Sequence, residues 1–382
     1  MIIGVPREIH RGENRVGLTP SGVARLVERG HHVMVEKGAG SAAHFADLDF
    51  QQAGAQTLYD PAELYLRADL LAGVGGLTDE ELGILKQGSV VVASHHLAVV
   101  PRSRLERMME LRLTLVGYEV VRAPDGSLPV LFPMSEMAGQ MAVHLAADLL
   151  QNSSGGRGIL LGNVPGVPPP TVLIVGAGSV GRAAARQALA AGAHVIVVDS
   201  ELGQLRALVR ELGPRVVTAV SDSGRLARFT AIADVVIGAV LVPGSRTPHV
   251  IDHEMVRSMK AGSVILDLSI DQGGCVETSR PTTLQHPTFV VDGVLHYCVP
   301  NLTANVARTA TRVLSNAALP YLLELADQGL DEALAKDPGL AQGVYLYRGS
   351  LVSREVAATF GLEAESLAAL QSETALQEET IS

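Results

Sequence analysis

Short apolar runs alternate with amphipathic segments over two long stretches of the chain, residues 1–130 and 171–300. In the first, MIIGVP predicts a strand. Thr19 and Pro20 cap and start a helix that runs through Leu26 toward Arg29 and ends at Gly30. HHVMVE is the next strand and GAGSAAHF a glycine loop. DFQQAGA and PAELYLRA read as helices, and ADLLAGVGG as a strand ending in a glycine cluster. DEELGILK (helix), SVVVASHH (strand), PRSRLERMMELR (helix) and LTLVGYE (strand) follow. Such alternation predicts a parallel, doubly wound α/β unit. SEMAGQMAVHLAADLLQ is a helix expected to follow Pro133 and to stop at Asn152–Gly156. PGVPPP (165–170) suits neither a helix nor a central strand. The second stretch repeats the pattern, with VVTAV, DVVIGAV, SVILDLS and TFVVDGV as strands. Beyond Asn301 the chain turns rich in alanine and leucine and reads as helical. ESLAALQSETALQEETIS forms a frayed helix or tail.

Residues 171–199, TVLIVGAGSVGRAAARQALAAGAHVIVVD, are the most specific part of this pattern. A strand runs into Gly176, Gly178 and Gly181 at G-x-G-x-x-G spacing; a helix follows, then a strand ending at Asp199. Gly176 permits the tight turn, Gly178 lets a pyrophosphate approach the backbone, and Gly181 lets helix and strand pack closely. The helix N-terminus, with Val180 in its first turn, offers N–H groups to phosphates. Asp199 suits the ribose hydroxyls and repels a 2′-phosphate, so the expected cofactor is NAD rather than NADP.

The 382 residues predict two domains. Residues 134–302 are the expected dinucleotide-binding domain, inserted between residues 1–133 and 303–382, which form a discontinuous substrate domain. The site is expected in the cleft, at the carboxyl ends of both sheets. A net charge of −10 argues against nucleic acid and anionic membranes as partners. No apolar run approaches a membrane span, and MIIGVP opens directly as a strand with no signal peptide before it. Cys275 and Cys298 read as small buried residues in a reducing compartment, the cytoplasm. No His, Cys, Asp and Glu group has metal-ligand spacing. Only four lysines occur, Lys37, Lys86, Lys260 and Lys336.

Hydride transfer on a small oxo or amino acid needs a cation for the carboxylate and a group that moves a proton. Arg7, Arg11 and Arg15 lie in the loop after the first strand. Arg15 is the best placed as a clamp, since a guanidinium fork matches a carboxylate. His95 and His96 end the strand SVVVAS; strand alternation lets one of them face the site. Asp271 opens a D-Q-G-G turn at another strand end. Val240 to Gly244 could wall a nicotinamide ring.

NRVGLTP, VEKGAG, PMSEMAG, GGRG, NVPGVPP, GAGSVG, ADVVIGAVLVPG, SIDQGG and HYC occur in the order and spacing of L-alanine dehydrogenases. The chain resembles that family over about residues 1–362, and less closely the NAD-binding subunit of proton-translocating transhydrogenase. The resemblance implies two Rossmann-like α/β domains, reversible NAD-dependent deamination of L-alanine to pyruvate and ammonia, and a homo-oligomer, typically a hexamer. It implies that Arg15 binds the substrate carboxylate and that His96, rather than His95, and Asp271 do acid–base work. It implies cofactor contacts at Ser135, Asp199, Ser221, Val240, Leu241, Leu268, Ile270, Asp271, Val299, Asn301 and Leu302.

The chain also departs from the family pattern. Members carry a substrate-touching lysine in a V-K-E-P segment; without gaps that position falls at Gly75, within Gly73-Val74-Gly75-Gly76-Leu77, and none of the four lysines obviously replaces it. Pro300-Asn301-Leu302-Thr303, Ala307 and Gln204 depart as well. A glycine in place of lysine removes charge and opens space. Two alternatives therefore stand beside alanine deamination: a related dehydrogenase or imine reductase for a larger amino acid, and an NAD-binding homologue without turnover.

Overall fold

The computed structural model describes residues 1–381; Ser382, the last residue of the expected tail, lies outside the described residues. The chain divides into two compact units, one of residues 1–133, 243–245 and 304–382, the other of 134–242 and 246–303.

The first unit opens with β1 (Ile2–Val5), β2 (His32–Glu36), β3 (Gln56–Leu58), β4 (Leu70–Gly75), β5 (Val90–Ser94) and β6 (Thr114–Gly117). All six are parallel and lie in the order β3-β2-β1-β4-β5-β6. The order reverses between β1 and β4. Chains leave that switch point to opposite sides, and ligands of doubly wound sheets bind outside the strand ends there. Leu71, Val91 and Leu115 pack with Leu64, Leu105 and Met108 from the covering helices.

The second unit holds β7 (Thr171–Val175), β8 (His194–Asp199), β9 (Val217–Val220), β10 (Val235–Gly238), β11 (Val264–Asp267), β12 (Thr288–Val291) and β13 (Val294–Tyr297). Its order, β9-β8-β7-β10-β11-β13-β12, puts the switch point between β7 and β10. Alternate residues of β7 feed the two faces: Val172 and Ile174 join one apolar cluster, Leu173 and Val175 the other.

The structure departs from the sequence reading at several points, and TFVVDGV, expected as one strand, divides between β12 and β13. The helix expected after Pro133 begins earlier and spans Leu131–Leu149. Proline is tolerated in a first turn, whose N–H groups have no partner in the helix. The tail takes the helical one of its two expected forms, Leu367–Ile381. The chain beyond Asn301 also returns as β14 (Val344–Tyr347) and β15 (Ser350–Leu351), which extend the first sheet antiparallel to β6. All four residues of β14 are buried, so its run shows no alternation; its two tyrosines were the available strand signal. β12 likewise pairs antiparallel with β13, so neither sheet is wholly parallel. No helix among the described residues is long and apolar enough to cross a membrane, and no group of three or more His, Cys, Asp and Glu among them is placed to hold a metal.

Candidate active site

In the first unit, adjacent parallel strands deliver four loops to one sheet edge. The loop after β1 carries Glu8, His10, Glu13 and Arg15; Gly75 ends β4 and Gly76 follows it; His95 and His96 follow β5; Tyr118 and Glu119 follow β6. Arg15 is buried. Glu13 accepts from its Nε at 2.7 Å, its Nη2 at 2.6 Å and its backbone N–H at 3.0 Å. The two-point grip fixes the plane of the guanidinium. Arg7 and Arg11 are exposed.

His95 turns inward, 2% exposed, with its ring edge on Tyr345 and Nε2 donating to Val91 O at 3.2 Å. Burial pushes its pKa down. His96 stays partly exposed and takes φ 47°, a left-handed backbone that a histidine adopts at a cost. Glu119 sustains it: Oε1 accepts the His96 N–H at 2.7 Å and the Tyr345 hydroxyl at 3.1 Å. Glu119 itself is 1% exposed.

Position 75 is not an open space. A Cβ built on Gly75 would lie 3.1 Å from His10 Cδ2 and 3.6 Å from Glu8 Oε2. Glu8 accepts the Val74 N–H at 2.6 Å and the Gly75 N–H at 3.4 Å. Enclosure of its carboxyl, then the nearby Glu13, pushes its pKa up to about 8. The lysines are engaged elsewhere or exposed: Lys37 lies over Tyr59, Lys260 pairs with Asp234, Lys336 pairs with Glu332, and Lys86 is exposed. The sequence reading took the arginines of PREIHRGENR and passed over Glu8, His10 and Glu13. Glu13 had a signal, an acid two residues before Arg15 in a non-helical loop. Glu119 had none beyond its place at a strand end.

In the second unit, the turn after β7 is set by close backbone approaches. Gly176 has φ 108°, and a Cβ there would lie 2.3 Å from Ala239 O at the end of β10. A Cβ on Gly181 would lie 1.8 Å from Gly176 O. At Gly178, by contrast, a Cβ would meet nothing within 4 Å, and no side chain caps the helix Ser179–Ala191 that it opens. An uncapped helix start beside open space is a cradle for phosphates, and so the residues fit a dinucleotide.

Asp199 holds this turn in place. Its Oδ2 accepts the Ala177 N–H at 2.6 Å and its Oδ1 the Glu201 N–H at 2.7 Å. A carboxylate offers about four lone-pair sites, so each oxygen retains capacity for a ribose hydroxyl. Arg182 reaches Gln204 Oε1 at 2.5 Å, so a basic group arrives beside Gln204 from the glycine helix.

The ends of β9, β10 and β11 bring Ser221, Val240 and Leu268 to the same sheet edge. Ser221 donates its N–H to Asp199 O, and Val240 its N–H to Ser269 Oγ. Leu241 is 45% exposed. Val180, in the first turn of the glycine helix, is partly exposed, and its carbonyl lies where a Cβ on Gly139 would sit. Gly139 is one turn beyond Ser135 on the Leu131–Leu149 helix, which lets that helix pack against the glycine helix. Asp271 lies in the 3₁₀ turn Ile270–Gln272, and its Oδ1 accepts the Asn301 N–H at 3.0 Å. Ile270, Val299 and Leu302 are buried. Cys275 and Cys298 are buried free thiols.

Residues 4–138 match the family "Alanine dehydrogenase/PNT, N-terminal domain" and residues 142–354 match "Alanine dehydrogenase/PNT, C-terminal domain". The chain is 46% identical to an alanine dehydrogenase of Halomonas elongata, over 97% of this chain and 100% of that one. It is 44% identical to an alanine dehydrogenase of Mycobacterium tuberculosis, over 95% and 97% of the two chains. Among solved structures, an L-alanine dehydrogenase superposes with a TM-score of 0.86 at 43% identity, covering 94% of this chain and 99% of the other. A transhydrogenase from Sinorhizobium meliloti shares the fold, with a TM-score of 0.76 at 24% identity over 93% and 99% of the two chains.

Proposed function

This chain belongs to the alanine dehydrogenase/PNT family, and we propose that it catalyses the reversible NAD-dependent oxidative deamination of L-alanine. The observation that carries the reading is identity above 40% along nearly the whole chain to proteins named alanine dehydrogenase. Zwitterionic L-alanine, NAD⁺ and water give pyruvate, NADH, ammonium and a proton. Bound NAD supplies the nicotinamide that takes a hydride from C2 of the amino acid.

The chain's own residues do the rest. Arg15, its plane fixed by Glu13, binds the substrate carboxylate. His96, presented on a strained backbone that Glu119 sustains, moves protons as the amine becomes an imine and water adds to it. Asp271, with one oxygen committed to the Asn301 N–H, assists these proton steps. The first unit serves as the substrate domain, and the second as the NAD domain through Gly176, Gly178, Gly181, Asp199 and the neighbouring strand ends. The Asp199 carboxylate disfavours a 2′-phosphate and so selects NAD over NADP. The protein works as a cytoplasmic homo-oligomer, a hexamer by resemblance.

The side chains of His10 and Glu8 beside Gly75 argue against a pocket opened there for a larger substrate. The test is NADH formation across a panel of L-amino acids. Alanine is expected to react about tenfold or more faster than larger or basic amino acids, the discrimination a snug apolar pocket can give. Turnover confined to a larger amino acid, or NAD binding with no turnover, overturns the proposal.

A further inference from the structure

β11 ends at Asp267, and the chain then forms the loop of residues 268–276 that carries Asp271. Gly273 and Gly274 follow one another there with φ 101° and 83°. Glycine visits both signs of φ freely, so two in succession give a segment whose own preferences fix little. One side chain from outside the loop fixes it instead. Asp267, 1% exposed, accepts the Ser269 N–H on Oδ1 at 3.1 Å. Its Oδ2 accepts the Cys275 N–H at 2.9 Å and the Val276 N–H at 3.1 Å. The first bond holds the start of the loop and the other two hold its end. The Cys275 thiol also reaches Oδ1, at 3.5 Å. Burial pushes the Asp267 pKa up, and bonds from Ser279, Val276 and Cys275 oppose that rise.

Between the two anchors the loop closes on itself. The Gln272 and Gly274 N–H groups donate to Ser269 O at 2.9 and 3.0 Å. A Cβ on Gly274 would lie 2.9 Å from Asp267 Oδ2, so carboxyl and loop are in direct contact. Ser269 extends the hold to the end of β10, because its Oγ accepts the Val240 N–H at 3.0 Å. The residue type matters. A carboxylate accepts on two oxygens, whereas an amide of the same size accepts on one and turns donors toward the other N–H.

We propose that Asp267 is a positioning residue for the reaction: its single carboxylate ties both ends of the 268–276 loop and so sets where Asp271 stands for the proton steps. The inference rests on the alanine dehydrogenase reading. It gives the D-Q-G-G turn a fixed base, the preorganisation that proton transfer requires of a group carried on a loop.

The experiment measures kcat and KM for L-alanine, NADH affinity and melting temperature for the parent, Asp267→Asn, Asp271→Asn and the double variant. Asp267→Asn releases one end of the loop while keeping the size of the side chain. It is expected to lower kcat about 10- to 100-fold, the cost of misplacing a reacting group by about 1 Å, with KM for alanine within about threefold of the parent. In the Asp271→Asn background the same change is expected to cost less than about threefold, since residues that act as a unit are not additive. Should Asp267→Asn not fold, Gly274→Ala, whose methyl group presses on Oδ2 from the loop side, carries the same two expectations.

A folded Asp267→Asn with kcat within threefold of the parent overturns the inference and leaves the functional reading intact. An equal loss of kcat with and without Asp271 also overturns it, by assigning Asp267 to the fold alone. Asp271→Asn with the kcat of the parent removes Asp271 from the chemistry, and the inference with it. A parent protein that binds NADH but does not turn over alanine overturns the functional reading itself.

Discussion

The turn after β7 and the loop after β1 occupy equivalent places, each beside the switch point of its sheet, β3-β2-β1-β4-β5 in one and β9-β8-β7-β10-β11 in the other. They are built from different materials. The β7 turn is backbone against backbone: Gly176 faces Ala239 O, Gly181 faces Gly176 O, and Asp199 fastens the turn through the Ala177 N–H. The β1 loop is side chain against backbone: Glu8 on Val74 and Gly75, His10 on Gly76, and Glu13 on Arg15. A backbone-built site tolerates almost no change at its glycines. A site built from side chains can change one of them, as at position 75, without moving the backbone that carries the rest.

The contrast can be broken at several points. The largest effect is expected at the proton-moving residue. His96→Asn keeps a residue that tolerates the left-handed backbone and should lower kcat about 10²- to 10⁴-fold with little change in NADH affinity. A kcat within threefold of the parent removes His96 from the chemistry.

Next, two valines in one turn should fail in different ways. Gly178→Val meets open space, so the protein should melt normally yet bind NADH more than about 100-fold more weakly, because the phosphate approach is blocked. Gly181→Val drives a side chain into Gly176 O and should cost about 3 kcal/mol of stability in denaturant unfolding. Equal behaviour of the two would contradict the geometry of the turn.

Arg15→Leu leaves Glu13 buried without its partner and should cost on the order of 3 kcal/mol. Adding Glu13→Leu should restore much of that stability without restoring pyruvate binding. Restored binding in the double variant would show that Arg15 serves the fold alone.

The smallest effect is a pH dependence. The folded Glu8 carboxyl is pushed up to about 8, above its ordinary value of 4.5. The folded state therefore holds a proton that the unfolded chain has released, and stability from this group falls as pH rises from about 4.5 to about 8. Glu8→Gln should remove that slope, raising stability by about 1 kcal/mol at pH 8.5 and leaving it nearly unchanged at pH 4, after allowing for partial exposure. A parallel shift at both pH values would mean that the carboxyl titrates normally.

The same contrast explains what could be read beforehand. Strands such as TVLIV and SVVVAS announce themselves because burial on both faces demands continuous apolar runs. Gly176, Gly178 and Gly181 are legible because a backbone constraint admits one residue type. Side-chain constructions are less legible, since many residues could fill each role. His10 and Glu8 gave no signal of their convergence on Gly75, because the contact spans 66 residues and depends on β1 lying beside β4. Glu119 acts through the backbone of His96, a role with no sequence pattern. β14 was hidden because a short buried strand between helical segments has neither period to show.

The most direct test follows the hydrogen on C2. L-alanine carrying deuterium at C2 is incubated with the protein and NAD⁺, and the NADH formed is analysed by mass spectrometry beside the pyruvate. The expected result is one deuterium in each NADH, with one pyruvate and one ammonium released per turnover. NADH without deuterium, or tight NAD binding with no pyruvate released, would contradict the claim that this chain oxidises alanine with a glycine at position 75.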